Sequence, residues 1–311
     1  MGDPAGIGPE LTLRAAKDWG YERLLLFAAP EPYEALGVAC HRTQPGGVLR
    51  DDALNLVPLP LAAPVIPGEA NPANGKAVIE SISQAVAAVQ AKHCRAVVTN
   101  PIAKAVLYDS GFAFPGHTEF LGHLAGLQQA PIMMLASRDF RVVPVTLHVS
   151  LQEAIRQISE EQIIQSACET HKALQDWWGI EQPRLAVSGL NPHAGESGAM
   201  GREEIEIIAP ALEQLRREGL NVAGPLPADT MFHARARERY DAALCMTHDQ
   251  ALIPIKTIAF DSAVNLTLGL PFVRTSPDHG TAFDIAGKGI ARADSLMAAV
   301  RLADQLANAH G

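Results

Sequence analysis

Short apolar runs alternate with helix-periodic segments along nearly the whole chain, and this alternation restricts the fold more than any other feature. RLLLFAA at 23–29 reads as a buried strand, VIESISQAVAAVQAKH at 78–93 as a helix, and CRAVVTN directly after it as another strand. PIMMLAS and RVVPVTLHVS read as two further strands, and the Arg138–Asp139 turn between them predicts a hairpin. Two helices cover most of 151–177, and PRLAVSGL is a strand. In REEIEIIAPALEQLRREG, Ile205, Ile208, Leu212 and Leu215 recur at three- and four-residue steps, which predicts one apolar helix face closed by Gly219. DAALCM is a strand and ADSLMAAVRLADQLANAH a closing helix. Alternation of this kind predicts an α/β fold with a largely parallel sheet.

At 311 residues a chain of this type divides into two domains. A net charge of -9 argues against a nucleic-acid partner, which needs a basic footprint, but leaves room for a small anionic substrate held by a few cations. The four cysteines (Cys40, Cys94, Cys168, Cys245) are far apart and form no CxxC pair, the pattern of a reduced cytoplasmic protein. No apolar stretch approaches the roughly 18 residues that span a bilayer, and no basic-then-apolar leader is visible. These features predict a soluble cytoplasmic protein.

The polar clusters fall where an α/β fold places a site, just beyond strand ends: VVTN-PIAK, VTL-HVS, VSGL-NPHAGE and LCMT-HDQ. Three of them carry His148, His193 and His248, and three imidazoles with one open position make a catalytic metal site. A lone histidine at a strand end is more often a cap, and spacings this long carry no metal signature by themselves. PGHTEF puts His117 and Thr118 after a Pro-Gly turn, suited either to an anion at a helix start or to a plain N-cap. Lys256 and Arg274 are candidate counter-charges for a phosphate or carboxylate.

TSPDHGTAFDIAGKGIA at 275–291 is rich in small and turn-forming residues that permit close backbone approach, and the His279 ring there could border an adenine. NPHAGESGAMGREE reads as a loop feeding a helix, with Glu203 and Glu204 complementing the helix dipole. The opening MGDPAGIGPE lacks the G-x-G-x-x-G spacing of a dinucleotide fingerprint and reads as a strand-to-helix turn, with Pro9 in the first helical turn. No nucleophile elbow or P-loop is present.

GDPAGIGPE, VTNPIAK, PGHTEF, GLNPHAGESGAMGREE, GPLPADTMF, THDQALIPIK, AVNLTLGLP and RTSPDHGTAFDIAGKG, in this order, resemble the 4-hydroxythreonine-4-phosphate dehydrogenase family of vitamin B6 biosynthesis. The first and last of these also resemble motifs of the isocitrate and isopropylmalate dehydrogenases. The resemblance implies two α/β/α domains with a cleft between them, one from 1–115 plus 257–311 and the other from 116–256. It implies NAD- or NADP-linked, divalent-metal-dependent oxidation of a phosphorylated hydroxy acid at C3, followed by decarboxylation to 3-amino-1-hydroxyacetone phosphate. His148, His193 and His248 match the ligands of one divalent ion (zinc, magnesium or cobalt), in a site shared across a homodimer. His117 and Thr118 match the substrate-phosphate binders, and Lys256, Asn265 and Arg274 the other substrate contacts. Asp229 matches an acid beside the substrate; Lys256 or Asp229 is the expected catalytic proton relay or orienting group, with Lys256 favoured as the base. His279, Gly280, Asp284, Asn191 and Gly195 are the expected dinucleotide contacts.

The family carries a short apolar strand ahead of the GDPAGIGPE turn, whereas the sequence starts inside that motif. It also has an aromatic residue where Thr247 precedes His248. A paralogue oxidising phosphoerythronate or phosphothreonate would keep the same histidines and the GHT triplet. A dihydrodiol-dicarboxylate dehydrogenase would have no use for GHT, and a non-catalytic binding protein none for the histidines and Lys256.

Overall fold

The computed structural model describes residues 1–309 as a mixed α/β protein with two compact units, Met1–Pro131 with Leu270–Ala307 and Ile132–Gly269. Among the described residues no helix is long and apolar enough to cross a membrane.

In the first unit, α1 (Gly8–Trp19) leaves the glycine-rich turn with Pro9 at its start, where no intrahelical N–H is needed, and Glu10 at its positive end. β1 (Leu25–Ala28), α2 (Glu31–Ala35), β2 (Cys40–Arg42) and β3 (Leu54–Pro58) follow, and the strands pair in parallel in the order β1-β3-β2. α3 (Gly75–Gln90) then leads to β4 (Ala96–Val98), α4 (Lys104–Asp109) and α5 (His117–Leu124). Val78, Ile82, Val86 and Val89 form the buried stripe of α3 and pack with Leu107, Phe112 and Phe120. The second passage through this unit supplies β11 (Val273–Pro277), parallel to β4, and α11 (Asp294–Asn308).

The opening turn joins three segments of this unit. Asp3 N–H donates to the Pro101 carbonyl and Ile7 N–H to that of Thr281. A Cβ on Gly2 would lie 2.2 Å from the Pro101 oxygen and one on Gly6 2.9 Å from the Thr281 oxygen, so both positions need glycine. The glycines serve backbone contact within the protein.

The second unit is built on β5 (Ile132–Ala136), β6 (Arg141–Pro144), β7 (Arg184–Ser188), β8 (Asn221–Leu226), β9 (Ala242–Cys245) and β10 (Val264–Leu268). Their order is β10-β5-β6-β9-β7-β8. β5 and β6 form the expected hairpin and β10 is antiparallel to β5, while β6, β9, β7 and β8 run parallel. α6 (Leu151–Gln157) and α7 (Glu160–Trp178) are capped by Ser150 and Ser159, whose hydroxyls accept from Glu153 and Gln162 N–H, and α7 stops at left-handed Gly179. α8 (Ala209–Arg217), the short α9 (Ala234–Arg237) and α10 (His248–Ala259) complete the unit.

Two expectations differ from this arrangement. The unit boundaries fall at 131/132 and 269/270, not at 115/116 and 256/257. Phe120 and Leu121 of α5 pack with Phe112 and Leu107, which keeps α5 in the first unit, and β10 is hydrogen-bonded to β5 of the second. The helix ahead of β8 is also less regular than its periodicity suggests. It begins with a π turn at Glu204–Ile208, so Ile208, Leu212 and Leu215 are buried while Ile205 is 45% exposed. The wider turn shifts the phase of the stripe at Ile205.

Candidate functional site

Three strand ends of the second unit deliver the histidines singled out in the sequence. His148 follows β6, His193 follows β7, and His248 is the first residue of α10, just beyond β9. His148 and His248 come together, with ring centroids 5.7 Å apart, and both line a cavity of about 620 Å³ together with Asp229. His193 is exposed and does not line that cavity. Among the described residues, no three His, Cys, Asp or Glu side chains of the single chain are grouped to hold a metal ion.

The local backbone around these histidines is costly. His148 has φ 50° and His193 φ 53°, and left-handed backbone continues through Ala194, Gly195, Glu196 and Ser197. A non-glycine residue there costs roughly 1–2 kcal/mol, and such strain persists where surrounding contacts over-determine it, often at functional sites. The donor set, imidazole nitrogens, is of the kind that holds a divalent ion of the zinc type, and His248 Nδ1 lies 2.8 Å from Asp249 Oδ1. With Nδ1 carrying its proton toward that carboxylate, Nε2 keeps its lone pair for a ligand.

Two side chains hold the loop after β7. Glu204, expected to complement a helix dipole, is 4% exposed and folds back under the loop. Its Oε1 accepts from Leu190 N–H (2.8 Å) and Asn191 N–H (2.7 Å), and its Oε2 from Asn191 Nδ2 (2.9 Å). Burial pushes the Glu204 carboxyl up, but these hydrogen bonds outweigh it and hold the group below the usual range. Gln250 works from the other side. It closes a capping box with Thr247 at the start of α10, and its Nε2 donates to the Gly189 carbonyl at 3.0 Å. Asn191 and Gly195, expected at a dinucleotide, are thus occupied structurally: Asn191 Nδ2 binds Glu203 and Glu204, and Gly195 is buried against Glu204.

Lys256 lies two turns into α10, half-buried and outside the cavity lining. Asn265 on β10 has a buried Oδ1 with no hydrogen-bond partner among the described residues, an acceptor available to a ligand.

The first unit carries the anion-binding candidates. His117 and Thr118 open α5, whose first N–H groups have no intrahelical partner. Arg274 on β11 is 2% exposed and donates from Nη2 to Thr99 Oγ1 at 2.6 Å. Burial lowers its pKa to about 10, so it remains charged at neutral pH. His117 Nε2 is buried and has no hydrogen-bond partner among the described residues. Burial, then the positive Arg274 nearby, hold the ring well below its usual 6.5, so it is neutral at pH 7.

In the unfolded chain that ring protonates near 6.5, above its folded value, so the unfolded state takes up the proton first. The contribution is complete above that value and erodes as the pH falls below it, by up to about 1.4 kcal/mol per pH unit. Wild-type melting temperature is therefore expected to drop more steeply than that of His117→Asn between about pH 7 and pH 5. Parallel curves would contradict this placement of the ring.

His279 and Gly280 lie just beyond β11, and Asp284 sits in the short 3₁₀ turn that follows. Among the described residues, His279 Nε2 is buried without a hydrogen-bond partner, and Gly280 has open space where a Cβ would stand. α1 steadies this loop: Glu10 accepts from Gly287 N–H at 3.1 Å, and Arg14 donates to the Gly289 and Ala291 carbonyls at 2.6 and 2.5 Å.

Comparison with known proteins shows the family. Residues 28–303 match the family model "Pyridoxal phosphate biosynthetic protein PdxA". A 4-hydroxythreonine-4-phosphate dehydrogenase from Methylorubrum extorquens (strain PA1) is 51% identical over 325 residues, covering 99% of this chain and 93% of that protein. The crystal structure of the enzyme of that name from Klebsiella pneumoniae superposes with a TM-score of 0.91 at 35% identity, over 99% of this chain and 96% of the other. A terephthalate 1,2-cis-dihydrodiol dehydrogenase from Burkholderia xenovorans LB400 has a TM-score of 0.67 at 30% identity, over 98% and 96%. With a family model that matches residues 28–303 and half-identical relatives that match almost end to end, the chain belongs to the pyridoxal phosphate biosynthetic protein PdxA family.

Proposed function

We propose that this protein is a 4-hydroxythreonine-4-phosphate dehydrogenase that oxidises 4-phosphooxy-L-threonine at C3 with NAD or NADP and releases CO2, giving 3-amino-1-hydroxyacetone phosphate for pyridoxal 5'-phosphate synthesis. The observation that carries this reading is the meeting of His148, His248 and Asp229 on one cavity, in a chain half identical to dehydrogenases of that name.

His148, His193 and His248 are the residues that would hold a divalent ion. When bound, it supplies Lewis acidity toward the substrate hydroxyl, as the nicotinamide supplies the hydride acceptor. The protein's own residues do the rest. His117, Thr118 and Arg274 bind the phosphate, for which a neutral imidazole, a hydroxyl and a permanent guanidinium are complementary partners. The unpaired Asn265 Oδ1 accepts from a substrate N–H or O–H. Lys256 takes the C3 hydroxyl proton as the hydride leaves, a role worth 10²–10⁴-fold in rate on the order seen for positioned bases. Asp229 orients the substrate. The loop with His279, Gly280 and Asp284 borders the dinucleotide. Oxidation at C3 yields a β-keto acid; its C1–C2 bond breaks, CO2 departs, the electron pair of that bond passes into the C3 carbonyl as an enolate, and C2 then takes up a proton to give the amino ketone.

A homodimer completes the reading. Leu151 (66% exposed) and Ile155 (42%) on α6 and Ile253 (63%) on α10 form apolar surface beside the cavity, and Leu151 and Ile253 line it. Because His193 does not line the cavity of its own chain, a shared site would take His193 from one subunit and the His148–His248 pair from the other.

The deciding assay is NAD(P) reduction with 4-phosphooxy-L-threonine against 4-phosphoerythronate, with and without a chelator. Turnover of the first substrate, lost on chelation and restored by metal, is expected. Turnover of the second alone would move the protein to sugar-acid catabolism.

A further inference from the structure

Glu204 is a carboxylate removed from solvent yet not used by any step above. Its two oxygens accept three hydrogen bonds from Leu190 and Asn191, fourteen and thirteen residues earlier in the chain. Those residues lead directly into the left-handed stretch His193–Ser197. The same oxygens also form the floor of that stretch: a Cβ on Gly195 would lie 2.6 Å from Oε2, and one on Gly189 3.0 Å from Oε1. Asn191, pinned by Glu204, accepts through its carbonyl from Ala194 N–H at 3.1 Å and so starts the turn. The π turn at Glu204–Ile208 ends in buried Ile208, which roots the carboxylate in the core.

We propose that Glu204 is a positioning residue that imposes the left-handed turn at 193–197 and thereby presents His193 as a metal ligand. The inference rests on the assignment of His193 in the proposed function. Without the carboxylate, the Leu190 and Asn191 N–H groups lose their acceptor, the strained turn relaxes toward ordinary backbone, and the imidazole is carried away from its position. Glutamine keeps one oxygen for the two backbone N–H groups and therefore substitutes in part, whereas alanine keeps none.

The test uses the full-length protein as Glu204→Ala, Glu204→Gln and wild type, with Co²⁺ as the probe. Amide hydrogen exchange of the 189–201 segment, measured without metal, is expected to quicken at least about tenfold in Glu204→Ala, while the β5–β6 core is unchanged. Co²⁺ affinity, read from the visible absorption of the bound ion, is expected to weaken by about 10–100-fold. Glu204→Gln should fall between wild type and alanine in both measurements. Unchanged exchange in the alanine variant overturns the proposal, and so does rapid exchange with undiminished Co²⁺ affinity. Wild type that takes up no Co²⁺ sinks the metal assignment of His193 instead, and with it the presenting role of Glu204, while the exchange result still decides whether Glu204 imposes the turn.

Discussion

Exchanging His248 for alanine is expected to lower turnover of 4-phosphooxy-L-threonine by about 10³-fold or more and to abolish tight Co²⁺ uptake. A bound divalent ion supplies several kcal/mol of charge stabilisation, and each factor of ten in rate is about 1.4 kcal/mol, so loss of one of three ligands accounts for a change of this size. His248 opens a helix fixed by the Thr247–Gln250 capping box, so the alanine variant should fold. A second experiment separates a shared site from a self-contained one. In a mixed dimer of His193→Ala and His248→Ala subunits, a site built from one chain's His193 and the other chain's pair occurs once intact and once doubly damaged. Activity should therefore reappear on mixing two inactive variants. Continued inactivity, with mixed dimers confirmed, would place all three ligands in one subunit.

Replacing Arg274 by methionine should raise KM for the phosphorylated substrate by about 100-fold or more, since truncating a buried charged partner costs roughly 2–5 kcal/mol. Methionine fills a similar volume on β11, whose pairing with β4 does not depend on the side chain, so the fold is retained. Lysine should rescue poorly, because a point charge cannot reproduce the planar fork. The His117 ring supplies an internal control. Relieved of the neighbouring positive charge, its pKa should move up toward the usual value, visible by NMR titration. An equal loss of activity toward phosphorylated and unphosphorylated substrate would remove Arg274 from the phosphate site.

How much of this was legible in the sequence depends on the range of each interaction. The strands and the β5–β6 hairpin were readable because apolar runs and a turn are local signals. The placement of His148, His193 and His248 beyond strand ends was readable for the same reason. Ile205 was misplaced because a π turn leaves no mark in three- and four-residue periodicity. The unit boundary near 115 was misplaced because the Phe112–Phe120 edge contact, with centroids 5.1 Å apart, ties α5 backward, and no local pattern announces it. Glu204 carried the composition of a helix start, and its real partners lie more than a dozen residues upstream. Nothing in the spacing of residues distinguishes a carboxylate facing water from one folded beneath a loop.

Gln250 shows what such long-range wiring means for inheritance. Its amide donates to the Gly189 carbonyl while its oxygen accepts from Thr247 N–H at 3.2 Å, so the segment before His248 and the segment before His193 share one side chain. Glutamine and glutamate codons differ by a single base. That one change would turn a donor into a carboxylate facing a carbonyl oxygen, leaving hydropathy and side-chain volume almost untouched. Two of the three histidine-bearing segments are thus one point mutation away from losing their common tie, at a position where a side-chain alignment by size would see nothing amiss.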